Sequence, residues 1–182
     1  MCNIDELWNE VAGDAKPVAH NLKFDLDQRW VRFHSLPDSQ RYPNDDAEMN
    51  AIIHRHNEIL LSVFISGEQL QVMQMAWSDE SSAQVKADGF TYWRDVLPDE
   101  DDLDCVNHLY VRSMPWATGA LDWAIAAAAN DELYGFMVIG VDSRAIYHPY
   151  DGGLDLILST TDERDALKDQ YASYLSSHPA GL

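Results

Sequence analysis

The stretch FMVIGVDSRAIYHPYDGGLDLIL, residues 136–158, decides the fold. Its first part, 136–141, is almost continuously apolar, which is typical of a central strand covered on both faces. The segments 145–147 and 154–158 flank His148-Pro149-Tyr150-Asp151-Gly152-Gly153. Proline, aspartate and paired glycines are turn-forming residues, and we expect the two glycines to supply positive φ. The stretch therefore predicts a buried strand followed by a hairpin.

Outside this stretch, apolar residues recur with both strand and helix periods. Strands are predicted at 21–26, 29–34, 70–77, 91–96 and 108–112, helices at 4–11, 45–64, 119–129 and 162–175, and polar loops at 77–84 and 98–104. Asn44 or Asp45, Thr118, and Thr161 or Asp162 are the expected caps of the last three helices. The mixture of hairpins and long helices predicts an α+β fold, a mainly antiparallel sheet of about five to seven strands with three or four helices on one face.

The length predicts one compact domain. The chain has 182 residues and a mass of 20.6 kDa, and a domain usually holds about 100–200 residues. A folded chain of this size buries about 70% of the surface that its unfolded form exposes. With 46% apolar residues, the chain can fill a core rather than remain disordered. We therefore expect residues 1–182 to fold as a single unit.

The charge of the chain is strongly negative. There are 31 Asp and Glu residues against 12 Lys and Arg, and the formal net charge at pH 7 is -19. Phosphate backbones and anionic lipids are bound by positive protein surface. We therefore expect neither nucleic acid nor a membrane among the partners.

Targeting and cofactor motifs are not apparent in the sequence. The N-terminus has no basic start followed by an apolar segment, as a signal peptide would, and the longest apolar run, 123–129, is far shorter than the ~20 residues of a membrane span. Cys2 and Cys105 lack CxxC spacing, so no disulfide framework or thiolate zinc site is predicted. There is no P-loop and no GxGxxG. The expectation is a cytoplasmic protein with no cofactor and no metal.

Seven residues from three parts of the chain form a candidate polar site. They are His34, Arg41 and Tyr42 around a predicted turn, His54 in the long helix, and His148, Tyr150 and Asp151 in the hairpin. Histidine beside arginine indicates an anion pocket in which His34 or the neighbouring Ser35 acts as an acid, a base or a nucleophile. Ser35 lacks the GxSxG pattern of a hydrolase, so no residue is assigned as catalytic.

A structural interpretation accounts for the same residues. In so acidic a chain, Arg32 and Arg41 would be held by neighbouring carboxylates that fix a turn. Most of the 148–153 motif is explained by turn chemistry. His56 falls on the apolar side of its helix, and a metal site built from His54, Glu58 and a distant His34 has no supporting motif. Both interpretations stay open at this point.

A run of five carboxylates is the candidate partner-binding surface. Its members are Asp99, Glu100, Asp101, Asp102 and Asp104. The run is compatible with a solvated loop, and also with a docking surface that attracts a basic partner over long range. It lacks the DxDxDG spacing of a calcium-binding loop.

Several blocks of the sequence resemble those of a family of uncharacterised bacterial proteins. The blocks are RFHSLP at 32–37 with Ser39, Arg41 and Tyr42, RHN at 55–57, YHPYDGG at 147–153 with Asp155, and LSSHPAGL at 175–182. The chain is similar in this respect to domain-of-unknown-function family 3885. The resemblance covers most of the chain from Trp30 onward. It implies a bacterial cytosolic protein of one compact domain and implies no catalytic residue.

Three functional hypotheses follow. The first is an acidic cytosolic protein that binds another protein, such as an immunity-type inhibitor that masks a basic toxin or effector. The second is an enzyme of unknown chemistry with a pocket of His, Arg and Asp, which requires His34, Arg41, His148 and Asp151 to converge. The third is a structural or regulatory module.

Overall fold

Seven strands form one sheet in the computed structural model of the chain, which describes residues 3–97 and 106–176. The strands are β1 Trp30–His34, β2 Gln69–Ala76, β3 Thr91–Val96, β4 Asn107–Pro115, β5 Met137–Gly140, β6 Ile146–Tyr150 and β7 Gly153–Ile157. Their order across the sheet is β1-β7-β6-β5-β2-β4-β3, and every neighbouring pair is antiparallel. The predicted hairpin is β6–β7.

Six α-helices accompany the sheet in the described residues. They are α1 Ile4–Ala12, α2 Leu22–Asp25, α3 Asp46–Val63, α4 Asp79–Ala87, α5 Asp122–Ala129 and α6 Thr161–Gln170. Asp45 caps α3 by accepting the Glu48 N–H at 2.9 Å, as expected from the sequence. The cap of α6 is Thr160, one residue before the predicted position, and it forms a capping box with Glu163.

The helices cover both faces of the sheet. On one face, Leu60 of α3, Ile125 of α5 and Leu167 of α6 belong to a core that includes Val72. On the other face, Trp8 of α1 and Leu22 of α2 belong to a second core. Strand β2 contributes to both, since Met73 lies in the second core directly after Val72. All of β5 is buried, which confirms that 136–141 contains a central strand covered on both faces.

The α+β class and the antiparallel sheet are therefore confirmed, and several details of the prediction are wrong. There are six described helices rather than three or four, and they do not share one face. The segment 21–26, predicted as a strand, contains α2. Of its alternating apolar residues only Leu22 is buried, while Phe24 is 69% exposed, so the short alternation does not mark a strand face.

Helix α4 replaces a predicted loop at 77–84. The serines that suggested a loop are its start signal, because Ser78 and Ser81 form a reciprocal capping box. Only Ser82 and Val85 of this helix are buried. Its polar composition is therefore that of a helix lying on the surface.

No helix among the described residues is long and apolar enough to cross a membrane.

Candidate functional site

The candidate site is built around the β6–β7 turn, where β1 also ends. Asp151 and Gly152 connect the two strands, His34 pairs with Gly153 in the β1–β7 register, and the Ser35 N–H donates to the Gly152 carbonyl at 3.1 Å. The turn of one hairpin is thus fastened to the end of a neighbouring strand. This arrangement brings the RFHSLP and YHPYDGG blocks together.

The paired glycines are required for space and not for positive φ, which corrects the sequence prediction. Neither Gly152 nor Gly153 is among the described glycines with positive φ. A Cβ atom on Gly153 would lie 2.0 Å from the Phe33 carbonyl oxygen of β1, a distance no side chain tolerates. At Gly152 the nearest atom would be the ring carbon Cε2 of Tyr150, at 2.9 Å. Gly153 therefore allows β7 to approach the end of β1.

A buried ion pair joins β1 to β7 beside this turn. Arg32 donates two hydrogen bonds of 2.7 Å to the two carboxylate oxygens of Asp155, and the two side chains are only 15% and 6% exposed. Across the sheet Asp155 pairs with His148 of β6, and the Tyr150 ring lies 4.5 Å from the Arg32 guanidinium. The pair agrees with the expectation that carboxylates hold the arginines of this chain.

Polar atoms without hydrogen-bond partners surround the ion pair. In the described part of the chain, the buried Trp30 Nε1, His34 Nε2 and Tyr150 OH have none. Burial lowers the pKa of His34, and the nearby Arg32 charge adds to this effect. Burial also raises the pKa of Tyr150. Both side chains are thereby favoured in their neutral forms.

A second buried network lies on the opposite face of the sheet. Ser35 Oγ is 2.7 Å from His56 Nε2, and His56 Nδ1 is 2.8 Å from the Tyr147 hydroxyl. All three residues are buried, and burial lowers the pKa of His56 to about 3, with Arg55 contributing. The network links β1, α3 and β6 through a neutral imidazole. Ser35 is therefore a buried structural group, which is at odds with its candidate role as a nucleophile.

Arg41 and Asp151 form an ion pair at the mouth of a cleft. Asp151 is buried, whereas the Arg41 side chain is 65% exposed. A hydrogen bond to the Asp151 carboxylate raises the pKa of Tyr42, which is itself exposed. One buried carboxylate thus holds two side chains that follow β1.

This cleft, which we call the hairpin cleft, has a volume of about 500 Å³. Four of the seven predicted site residues line it, namely Arg41, His148, Tyr150 and Asp151. Its other polar and aromatic walls are His20, Trp77, Asp131 and Tyr134. They come from segments that the sequence pattern did not connect. The exposed Trp77 lies where the predicted strand 70–77 meets the predicted loop 77–84, and Tyr134 precedes β5.

The remaining predicted site residues lie elsewhere. His34 is not part of the cleft lining, and Tyr42 reaches the cleft only through Asp151. His54 is exposed on α3. The predicted partner-binding run Asp99, Glu100, Asp101, Asp102 and Asp104 lies outside the described residues. Among the residues that the structure covers, no group of three His, Cys, Asp or Glu side chains is placed to hold a metal ion.

The β6–β7 hairpin fastened to β1, the antiparallel sheet covered on both faces and the aromatic cleft define an acidic α+β protein with a polar site beside the β6–β7 turn. The chain belongs to the family described as Domain of unknown function (DUF3885), whose family model matches residues 18–179. This match confirms the resemblance found in the sequence. Comparison with curated proteins and with solved structures gave no match.

Proposed function

We propose that this protein binds a basic protein partner, as an immunity-type inhibitor does when it masks a toxin or an effector. The observation that carries the proposal is the exposed aromatic pair at the hairpin cleft. Trp77 and Tyr134 are 55% and 50% exposed, and their rings meet edge to face at 6.0 Å. Exposed aromatic residues of this kind are enriched at protein interfaces and among their hot spots.

The charge of the chain supports a basic partner. A net charge of -19 on 182 residues gives a negative field around the whole molecule. Complementary charge accelerates the encounter of two proteins, by about 10- to 1000-fold at low ionic strength. A partner rich in lysine and arginine is therefore attracted from a distance. The aromatic pair then offers it an apolar contact.

The test is recovery of the partner from the native host followed by binding kinetics at increasing salt. We expect one basic protein, whose association rate falls steeply between about 50 mM and about 500 mM NaCl because the charges are screened. If the partner is a toxin, its activity is lost when the complex forms. Recovery of no basic protein, or association that is indifferent to salt, would contradict the proposal.

Matched variants connect the binding to the hairpin cleft. Replacing Trp77 or Tyr134 by Ala removes a hot-spot candidate, and we expect affinity to fall at least tenfold. Tyr92→Ala is the control, because Tyr92 is 52% exposed on β3 and does not line the cleft. Equal losses in all three variants would place the interface elsewhere.

The alternative function is an enzyme that uses the hairpin cleft as its pocket. Three of the four groups that this alternative requires, namely Arg41, His148 and Asp151, meet in one cleft, and this favours it, since sequence-distant polar groups must meet for catalysis. The fourth, His34, does not line the cleft. A screen with chromogenic ester and phosphate substrates tests this alternative. A wild-type activity that is lost in the His148→Gln variant would support the alternative. Wild-type rates no higher than those of the His148→Gln variant would count against it.

A further inference from the structure

The groups that face the hairpin cleft determine the charge of the ligand it can take. His148 lines the cleft, and its Nδ1 lies 2.8 Å from the Phe136 carbonyl oxygen. A carbonyl only accepts hydrogen bonds, so Nδ1 must carry the proton. Burial lowers the pKa of His148 and so keeps the ring neutral. Its Nε2 is then a hydrogen-bond acceptor, and it has no partner among the described residues.

Carboxylates outnumber guanidinium groups in the cleft lining. Arg41 and Asp151 form an ion pair and cancel each other. Asp131 remains. Burial and a hydrogen bond to the Asp131 side chain raise the pKa of Tyr134, and Asp131 forms no ion pair within the part of the chain that the structure describes. His20 also lines the cleft, at an exposed position. The lining thus carries one excess negative charge.

The backbone turn from Asp131 to Gly135 fixes the position of the Tyr134 ring in the cleft wall. Asp131 adopts a positive φ of 61°, and the Tyr134 hydroxyl donates to its carbonyl oxygen at 2.8 Å. Gly135 follows with a φ of 61°, and a Cβ atom there would lie 2.6 Å from the Met75 Cβ. This tight turn holds the Tyr134 ring against Trp77. The aromatic surface beside Asp131 is therefore built into the fold.

We propose that the hairpin cleft receives an arginine side chain of the basic partner. The inference rests on the proposed function and names the group by which the partner is recognised. A guanidinium group stacks on aromatic rings and donates five N–H groups in a plane, whereas an ammonium group is compact and strongly hydrated. Trp77 and Tyr134 supply the rings, and Asp131 and His148 Nε2 supply the acceptors. The volume of about 500 Å³ lies within the usual range for ligand pockets.

The probe is the blocked tripeptide acetyl-Gly-Arg-Gly-amide, titrated into the ¹⁵N-labelled full chain and followed by NMR. We expect a dissociation constant in the millimolar range, with shifts at the Trp77 indole N–H and the Gly135 amide. The citrulline peptide has the same shape without charge and should bind at least fivefold more weakly. The lysine peptide should fall between them, and the glutamate peptide should leave these signals unchanged.

Variants of the cleft locate the binding. Trp77→Ala removes a ring and Asp131→Asn removes the excess charge, so each should weaken the arginine peptide about 3- to 30-fold. Tyr92→Ala should bind it as the wild type does. The same amide spectra verify that each variant is folded. Equal binding of the arginine and citrulline peptides, or shifts that avoid the cleft, would overturn the inference.

The inference and the proposed function fail in different ways. If a basic protein binds with strong salt dependence but Trp77→Ala and Asp131→Asn leave its affinity unchanged, the arginine site is wrong and the function stands. If the arginine peptide binds at the cleft and no basic protein is recovered, the function is wrong and the arginine site stands.

Discussion

The buried ion pair of Arg32 and Asp155 contributes to stability only while both of its charges are present. Two hydrogen bonds of 2.7 Å join the two side chains, and both side chains are almost completely shielded from water. Removing one member of a buried pair strands the other charge at a cost of about 3–5 kcal/mol. We therefore expect Asp155→Asn to lower the free energy of unfolding by about that amount in urea titrations.

The exposed pair Arg144–Glu10 is the control for this experiment. Its side chains are 42% and 59% exposed, so solvent screens the attraction, and Glu10→Gln should cost less than about 1 kcal/mol. The double variant with Arg32→Met and Asp155→Leu removes both buried charges and should recover most of the loss. A small effect of Asp155→Asn alone would show that Arg32 is well solvated in the folded chain.

His56 makes the stability of the fold depend on pH. Its pKa is about 3 in the folded chain against an ordinary value of 6.5. Between these values the unfolded chain binds a proton that the folded chain does not, so the free energy of unfolding falls as pH falls. The contribution is complete above pH 6.5. It declines by about 1.4 kcal/mol for each pH unit below about 6.

The variant His56→Gln cannot titrate and isolates this contribution. Its deficit in unfolding free energy relative to the wild type should be largest at about pH 7 and should shrink between about pH 6 and pH 4. His54→Gln is the control, because it changes an exposed histidine of the same helix and retains His56. Parallel pH profiles for wild type and His56→Gln would contradict the assigned burial.

Among the elements, the β6–β7 hairpin can pair with β1 only because residue 153 is a glycine and has no side chain. A Cβ atom there would lie 2.0 Å from a backbone oxygen of β1, which cannot move without breaking the β1–β7 pairing. We expect Gly153→Ala to lower the free energy of unfolding by about 3 kcal/mol. Gly152→Ala is the matched comparison. A Cβ atom at position 152 would lie 2.9 Å from the end of the Tyr150 ring, so this substitution should lower the free energy of unfolding by only about 1 kcal/mol. Equal losses of unfolding free energy in urea titrations would mean that the conformation of the turn, and not contact with β1, excludes a side chain at position 153.

The sequence predicts well those elements in which the apolar residues follow a single pattern along the whole length of the helix or strand. Strand β5 is continuously apolar and α3 carries a long apolar face with its cap at Asp45, so the sequence predicts both. Helix α2 has four residues and one buried apolar side chain, which is too little to separate a helix period from a strand period. Helix α4 is mostly exposed, so its polar composition hides it. The failures are therefore those of short or weakly buried elements.

For the whole molecule, the sequence predicts the members of the site better than their arrangement. Arg41, His148, Tyr150 and Asp151 meet in one cleft because β1 pairs with β7, a contact between residues more than 100 positions apart. Local patterns carry no information on such a pairing. Trp77, Asp131 and Tyr134 have no motif at all, and only the register of β2 against β5 brings their segments together. Their exposure, which no period reveals, is the signal that marks them.

The net charge of -19 also acts on the folded chain itself. Repulsion among like charges destabilises a compact state more than an expanded one, and salt screens it. We expect the melting temperature to rise as NaCl increases from about 10 mM to about 300 mM. Each 1 kcal/mol of relieved repulsion raises it by about 2–4 °C.

A neutralised variant separates screening from general salt effects. Asp14→Asn, Asp27→Asn, Glu132→Gln and Asp169→Asn all change exposed carboxylates outside the cleft lining. The fourfold variant should melt at a higher temperature than the wild type at about 10 mM NaCl and should respond less to added salt. If wild type and variant respond equally, the salt effect acts through hydrophobic burial and not through charge. In that case the negative field of the chain has no measurable effect on its own fold, and its use would be confined to the encounter with a partner.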